Sequence, residues 1–121
     1  MDEGIRWTVA ELARIGHECR NGFVYLFQDD FVSPPAVKIG RSTDPVGRFR
    51  QVCRYNRHAS LVADIPNGHR ESSVHAMFDH LRITNQPWVG REWFKDPHGE
   101  IRAWFLSQPN VRKYAAAKAA S

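Results

Sequence analysis

Apolar and polar positions along the chain follow two different periods, and the switches between them mark out the elements. Over Thr8–Cys19, Val9, Leu12, Ala13 and Gly16 recur at helical spacing with Glu11, Arg14 and Glu18 elsewhere, which predicts a short helix ended by Asn21-Gly22. The run Phe23-Val24-Tyr25-Leu26-Phe27 is compact and β-prone and predicts a central strand. A connection over Asp29–Pro35 leads to a second strand, Ala36–Ile39, stopped by Gly40. Asp44-Pro45 then opens a helix, with Asp as the cap and Pro at the first helical position. Ser60–Ile65 predicts a third strand, broken by Pro66-Asn67-Gly68, and His69–Arg82 a second helix. Trp93-Phe94 adds a short strand segment, and Ile101–Leu106 a last short helix. From Tyr114 the Ala-rich end is a weak helix or a frayed tail.

At 100° per residue the two middle helices show distinct faces. In the first, Val46, Phe49 and Cys53 share the core side, and Arg50, Arg54 and Arg57 form a separate basic stripe. Arg48 belongs to neither and falls on the other flank of the apolar stripe, where a site at the helix edge would place it. In the second, Val74, Met77, Phe78 and Leu81 form the apolar stripe, bordered by Glu71 and His75 at i, i+4. A carboxylate beside an imidazole at a core edge suits a metal or proton transfer, and equally an ordinary surface pair.

Composition narrows the class. The chain has 121 residues, enough for one domain, and its 42% hydrophobic and 25% charged residues are those of a folded soluble protein. No apolar run reaches the length of a membrane span, and the acidic start Met1-Asp2-Glu3 lacks a secretory pattern, so the cytoplasm is the expected compartment. Cys19 and Cys53 lie far apart with no CxxC pair, which excludes a zinc ribbon and predicts reduced thiols. The charge is uneven: Lys38–Arg70 holds seven basic and two acidic residues, +5, against +4 for the whole chain. Such a patch attracts polyanions, and docking phosphates on it releases counterions.

These residues together resemble the GIY-YIG nuclease superfamily. Phe23-Val24-Tyr25 stands where the first motif does, with Tyr25 as its tyrosine, and Lys38-Ile39-Gly40 where the second does. Arg48, ten residues after Lys38, matches the family arginine, and Glu71, near the start of a later helix, the family glutamate. The chain is most similar to a phage-type branch that reads V-K-I-G-R-[ST], then D/N-P, R, E-x-x-x-H and E-W-F. Here these are Val37–Ser42, Asp44-Pro45, Arg48, Glu71 with His75, and Glu92-Trp93-Phe94, spread over Gly22–Phe105. Two departures stand out: Lys38 replaces the second family tyrosine, and Val52 stands where many members carry His or Tyr.

The resemblance implies an α+β fold, a small, mainly antiparallel three-stranded sheet flanked by helices. It divides the chain into an N-terminal helical extension (1–21), a nuclease-like domain (22–106) and a C-terminal tail (107–121). It also implies phosphodiester hydrolysis in DNA, with RNA as the other polymer this chemistry fits. In that reading Tyr25 is the general base or water-orienting group, Arg48 holds the scissile phosphate with its planar fork, and Glu71 holds one Mg²⁺ or Mn²⁺ ion. Lys38 is an electrostatic partner or a base of lowered pKa, and His75 an auxiliary proton-transfer residue. Arg41 and Ser42 contact the neighbouring backbone phosphate, and Arg50, Arg54 and Arg57 the polyanion at large. Trp88, in a loop between Pro87 and Gly90, is the candidate for base stacking, whereas Trp93 and Phe94 read as core. His17, His58, His69, His80 and His98 show no metal-ligand spacing. Two rival functions remain open: a nucleic-acid-binding module of the same fold without catalysis, and a phage factor that engages a host protein. Double-strand cleavage by such a small domain implies a transient dimer.

Overall fold

The structure, a computed structural model, describes residues 22–29, 35–84 and 92–114. The predicted helix over Thr8–Cys19, Cys19 itself and Trp88 lie outside the described residues.

Two strands form the centre. β1 (Phe23–Asp29) pairs antiparallel with β2 (Ala36–Ser42), in a register that sets Tyr25 opposite Gly40 and Phe27 opposite Lys38. β3 (Ala59–Pro66) lies along the other side of β1, with Tyr25 opposite Asp64. The sheet is larger than the three strands expected. β4 (Trp93–Lys95) extends it beyond β2 and β5 (Arg112–Lys113) beyond β3, giving among the described residues five antiparallel strands in the order β4-β2-β1-β3-β5. β4 corresponds to the short Trp93-Phe94 segment expected from its aromatic residues. β5 carries no such signal: it is two cationic residues long, and pairing against β3 decides it. The predicted frayed end is therefore corrected at its first residue. Tyr114 is buried, and its backbone N–H donates to the Val62 carbonyl at 3.1 Å.

Helices cover both faces. α1 (Pro45–Cys53) packs on the Tyr25 face, where Phe49 and Val52 join Tyr25, Phe27, Ala59, Leu61 and Tyr114. α2 (Glu71–Met77) and α3 (Glu100–Ser107) pack on the other face through Val74, Phe78, Ile101 and Phe105, against Val24, Leu26, Ile39 and Ile65. β3 serves both layers because it is bulged. Phe27 faces Leu61 while Leu26 faces Ala63, and the extra residue, Val62, packs with the α2–α3 layer. Full burial of a Phe side chain stabilises by about 1.5–3 kcal/mol, so the edge-to-face contact of Phe27 with Phe49 at 5.4 Å is a main anchor of α1.

Helix starts follow local chemistry. Asp44 accepts the Gly47 N–H at 3.1 Å, and a side chain at Gly47 would overlap that carboxylate. At α3 the buried Asp96 accepts the N–H groups of Ile101 at 3.0 Å and Arg102 at 3.1 Å. Helix ends differ from the expected ones. α1 stops at Cys53, so Arg57 lies in the following turn and leaves the basic stripe. Val52 is buried in the core beside Phe49, whereas Val46 and Cys53 are only partly buried. The predicted helix over His69–Arg82 is a single α-helix only between Glu71 and Met77, with 3₁₀ turns at Gly68–Arg70 and Asp79–Leu81. The break falls at Phe78 (φ −110°), which keeps Phe78 in the core and leaves Met77 exposed rather than in the stripe. Among the described residues no helix is long and apolar enough to cross a membrane.

Candidate active site

Strand pairing puts Lys38 and Gly40 of β2 on the same sheet face as Tyr25 and Phe27 of β1. Phe27 stacks on Tyr25, with ring centroids 4.1 Å apart, and this fixes the phenol ring. The outer end of the ring lies directly over Gly40. A Cβ at that position would overlap both the terminal ring carbon and the hydroxyl of Tyr25. Glycine after Lys38-Ile39 is thus a space requirement of the tyrosine on the neighbouring strand.

Three charged side chains act on this hydroxyl, and a fourth, Lys38, pairs with one of them. Arg48, at the N-terminal half of α1, lies within hydrogen-bonding reach of it, and Glu92 and Glu71 act on it electrostatically. Burial, seconded by the Glu92 charge, pushes the Tyr25 pKa up to about 12, against the opposing pull of Arg48. Lys38 sits next to the pair: its ammonium is 3.8 Å from Glu92 and feels the charge of Arg48. Burial lowers the Lys38 pKa, Glu92 holds it up, and Arg48 lowers it further. Arg48 remains exposed and also bonds Gln51 Oε1 at 3.3 Å.

Glu71 opens α2, and its carboxylate stands 3.8 Å from His75 Nε2, so the expected i, i+4 pair is formed. The same Nε2 is 2.8 Å from the Ile39 carbonyl oxygen. A carbonyl only accepts, so Nε2 carries the proton and donates to it. His75 thereby ties α2 to β2 and holds Glu71 next to the site. Its ring also packs on Phe94, 5.3 Å between centroids.

The remaining expected residues distribute unevenly. Ser42 shares the Lys38 face, and its hydroxyl accepts the Asp44 N–H at 2.9 Å, closing the turn into α1. Arg41 is exposed and falls on the opposite sheet face by strand alternation. Arg50 and Arg54 are exposed on the side of α1 away from Arg48, and Arg57 is exposed in the next turn. Val52 points into the core and offers the site no hydrogen-bonding group.

Glu92 is the residue of this cluster that sequence reasoning left without a role. Its one signal was its place before Trp93-Phe94, and β4 turns that into proximity: the Glu92 carbonyl accepts the Ile39 N–H at 2.9 Å, beside Lys38. Lys38 and Arg48 against Glu71 and Glu92 make the cluster formally neutral, and an incoming phosphodiester would make it negative. Among the described residues no group of three or more His, Cys, Asp or Glu could hold a metal ion. A lone carboxylate such as Glu71 leaves most of a cation's shell to water and phosphate oxygens, a donor set compatible with a hard divalent ion.

Residues 22–107 match the family model of the T5orf172 domain. Comparison with curated proteins gives no match, and comparison with solved structures gives none either.

Proposed function

Because the chain belongs to the T5orf172 domain family, a phage-associated and nuclease-related domain, we propose that it is a metal-dependent endonuclease of the GIY-YIG type acting on DNA. The observation that carries this reading is the clustering of Arg48, Glu71 and Glu92 around Tyr25, with Lys38 on the same sheet face and paired to Glu92. Phosphodiester hydrolysis needs an oriented water, stabilisation of charge on the phosphoryl oxygens and help for the leaving alkoxide. Arg48, exposed and at the helix edge, binds the scissile phosphate. Lys38 adds positive charge beside it. Tyr25 holds its proton at neutral pH in the substrate-free state, since its pKa is about 12. It therefore orients the attacking water, and it becomes a base only when added positive charge lowers its pKa. Glu71, steadied by His75, holds the Mg²⁺ or Mn²⁺ ion, which when bound supplies the missing positive charge and acidifies bound water.

A catalytically silent DNA-binding module is the second reading. It is favoured by the core position of Val52 and by the engagement of Lys38 with Glu92. The deciding experiment incubates the protein with plasmid, single-stranded DNA and RNA, with and without Mg²⁺ or Mn²⁺, beside Glu71→Ala and Arg48→Ala. Metal-dependent cutting lost in both variants supports the enzyme. Salt-sensitive binding without cutting, and with no metal taken up through Glu71, selects the silent module.

A further inference from the structure

Tyr55 is 77% exposed, with only Met77 beside it as an exposed large apolar side chain among the described residues. It is held in a fixed turn: its N–H donates to the Val52 carbonyl at 3.1 Å, and that of Asn56 to the same carbonyl at 2.9 Å. Asn56 Nδ2 in turn donates to Asp29 at 3.3 Å, and the Asn56 side-chain oxygen accepts the His58 N–H at 3.0 Å. Arg54 and Arg57 flank the ring in sequence and are exposed, and neither forms an ion pair among the described residues. Residues 54–58 include no carboxylate of their own, and the neighbouring one, Asp29 on β1, is bonded by Asn56.

Its direction matters as much as its exposure. Arg54, just past the end of α1, keeps a helical backbone (φ −65°, ψ −26°), so the rotation of about 100° per residue carries on to Tyr55, which lies within about 20° of Arg48 around the helix axis and about 10 Å further along it. Gln51 lies between them on the same flank, as its hydrogen bond to Arg48 confirms. Arg50 and Arg54 lie roughly 200–240° from Arg48 by the same rotation, on the far side.

Resting on the DNA reading above, we propose that the Arg48–Gln51–Tyr55 flank of α1 is the track for one DNA strand, with the Tyr55 ring stacking on an unpaired base about three nucleotides from the phosphate at Arg48. Inside a duplex both faces of each base are already stacked, so a ring on a protein surface can take only a base that has left the stack. The preferred substrate is accordingly DNA with a single-stranded stretch beside the scissile bond. Gln51 bonds sugar or base edges along the track, and Arg57, exposed in the turn that carries Tyr55, adds sequence-independent attraction at its end.

The test measures fluorescence anisotropy of labelled single-stranded and duplex oligonucleotides, DNA and RNA, over a salt series, with wild type, Tyr55→Ala, Tyr55→Phe and Tyr55→Trp. Metal is omitted so that no cutting intervenes. The wild type is expected to prefer single-stranded DNA. Tyr55→Ala should lose about 5- to 150-fold of that affinity, with the slope of log Kd against log salt unchanged, because the ring neutralises no phosphate. Phe and Trp at this position should keep the preference, which separates stacking from any role of the hydroxyl. Salt-sensitive DNA binding that is equal in wild type and Tyr55→Ala overturns the inference and leaves the DNA reading standing. A Tyr55→Ala defect seen on RNA alone, or one that Phe and Trp do not restore, also overturns it. Absence of any DNA binding by the wild type overturns both.

Discussion

The Tyr25 hydroxyl occupies the space above Gly40 that any other residue at position 40 would fill with its side chain. The two residues face each other across β1 and β2, and their complementarity joins fold and site in one contact. Gly40→Ala is expected to destabilise the protein by about 1–3 kcal/mol through overpacking, and to displace the hydroxyl from Arg48. In a Tyr25→Ala background the same substitution should cost much less. Denaturant unfolding of the four proteins of this cycle measures the coupling. Equal costs in both backgrounds would show that the ring does not fill that space.

Glu92 holds up the pKa of both Lys38 and Tyr25. In Glu92→Gln both values fall. Lys38 then loses its proton at lower pH, and Tyr25 ionises at lower pH. The pH profile of single-turnover cleavage should move toward acid. A profile that only drops in height would mean that Glu92 acts otherwise, as a metal ligand for instance.

Asp64 is fully buried, and its carboxylate is gripped by Arg112 at 2.7 and 2.9 Å and by the Tyr114 hydroxyl at 2.6 Å. Burial nevertheless raises its pKa above the usual carboxylate value. A folded-state pKa above the unfolded one contributes stability at low pH that is lost as pH rises through the folded pKa. Arg112→Ala removes the partner cation and raises that pKa further. It should cost about 3 kcal/mol at pH 7 and markedly less near pH 4, where a proton replaces the guanidinium. Part of the loss persists at all pH values, because Arg112 also stacks on Phe23 at 4.0 Å. Urea titrations of wild type and variant at both pH values check this, and a deficit independent of pH would refute the assignment.

Arg50 and Arg54 are exposed on the side of α1 away from Arg48. As phosphate contacts, each replaced by Ala should lower the salt slope of DNA binding by about one and weaken all sequences alike. Cleavage at saturating DNA should be unaffected, in contrast to Arg48→Ala. Unchanged salt slopes would remove both from the interface.

Much of the framework could be read from residue order. Phe23–Phe27, Ala36–Ile39 and Ser60–Ile65 are strands because apolar β-formers end in Gly, Pro and Asn, and α1 begins where Asp44-Pro45 announces it. The spacing of Tyr25, Lys38 and Arg48 brought those three together because strand register and one helical turn fix their relation. What failed depended on contacts distant in sequence. β5 is set by its pairing with β3, where Arg112 meets Asp64 from 48 residues away, and nothing in Arg112-Lys113 itself favours a strand. Helix ends at Cys53 and Met77 were hidden because the helical pattern runs on past them while packing of Phe78 breaks it. Glu92 acquires its position only through the pairing of β4 with β2.

The clasp between β5 and β3 also orders events during synthesis. β1, β2 and β3 can pair as soon as residue 66 has left the ribosome, but Asp64 meets its cation 48 residues later in the chain. Until then β3 presents an unpaired edge and a carboxylate that resists burial, the two features that most invite wrong association. The β2 edge is covered once β4 (Trp93–Lys95) is made, but the β3 edge stays open until nearly the last described residues, exposed to chaperones and to neighbouring chains while those 48 residues are added.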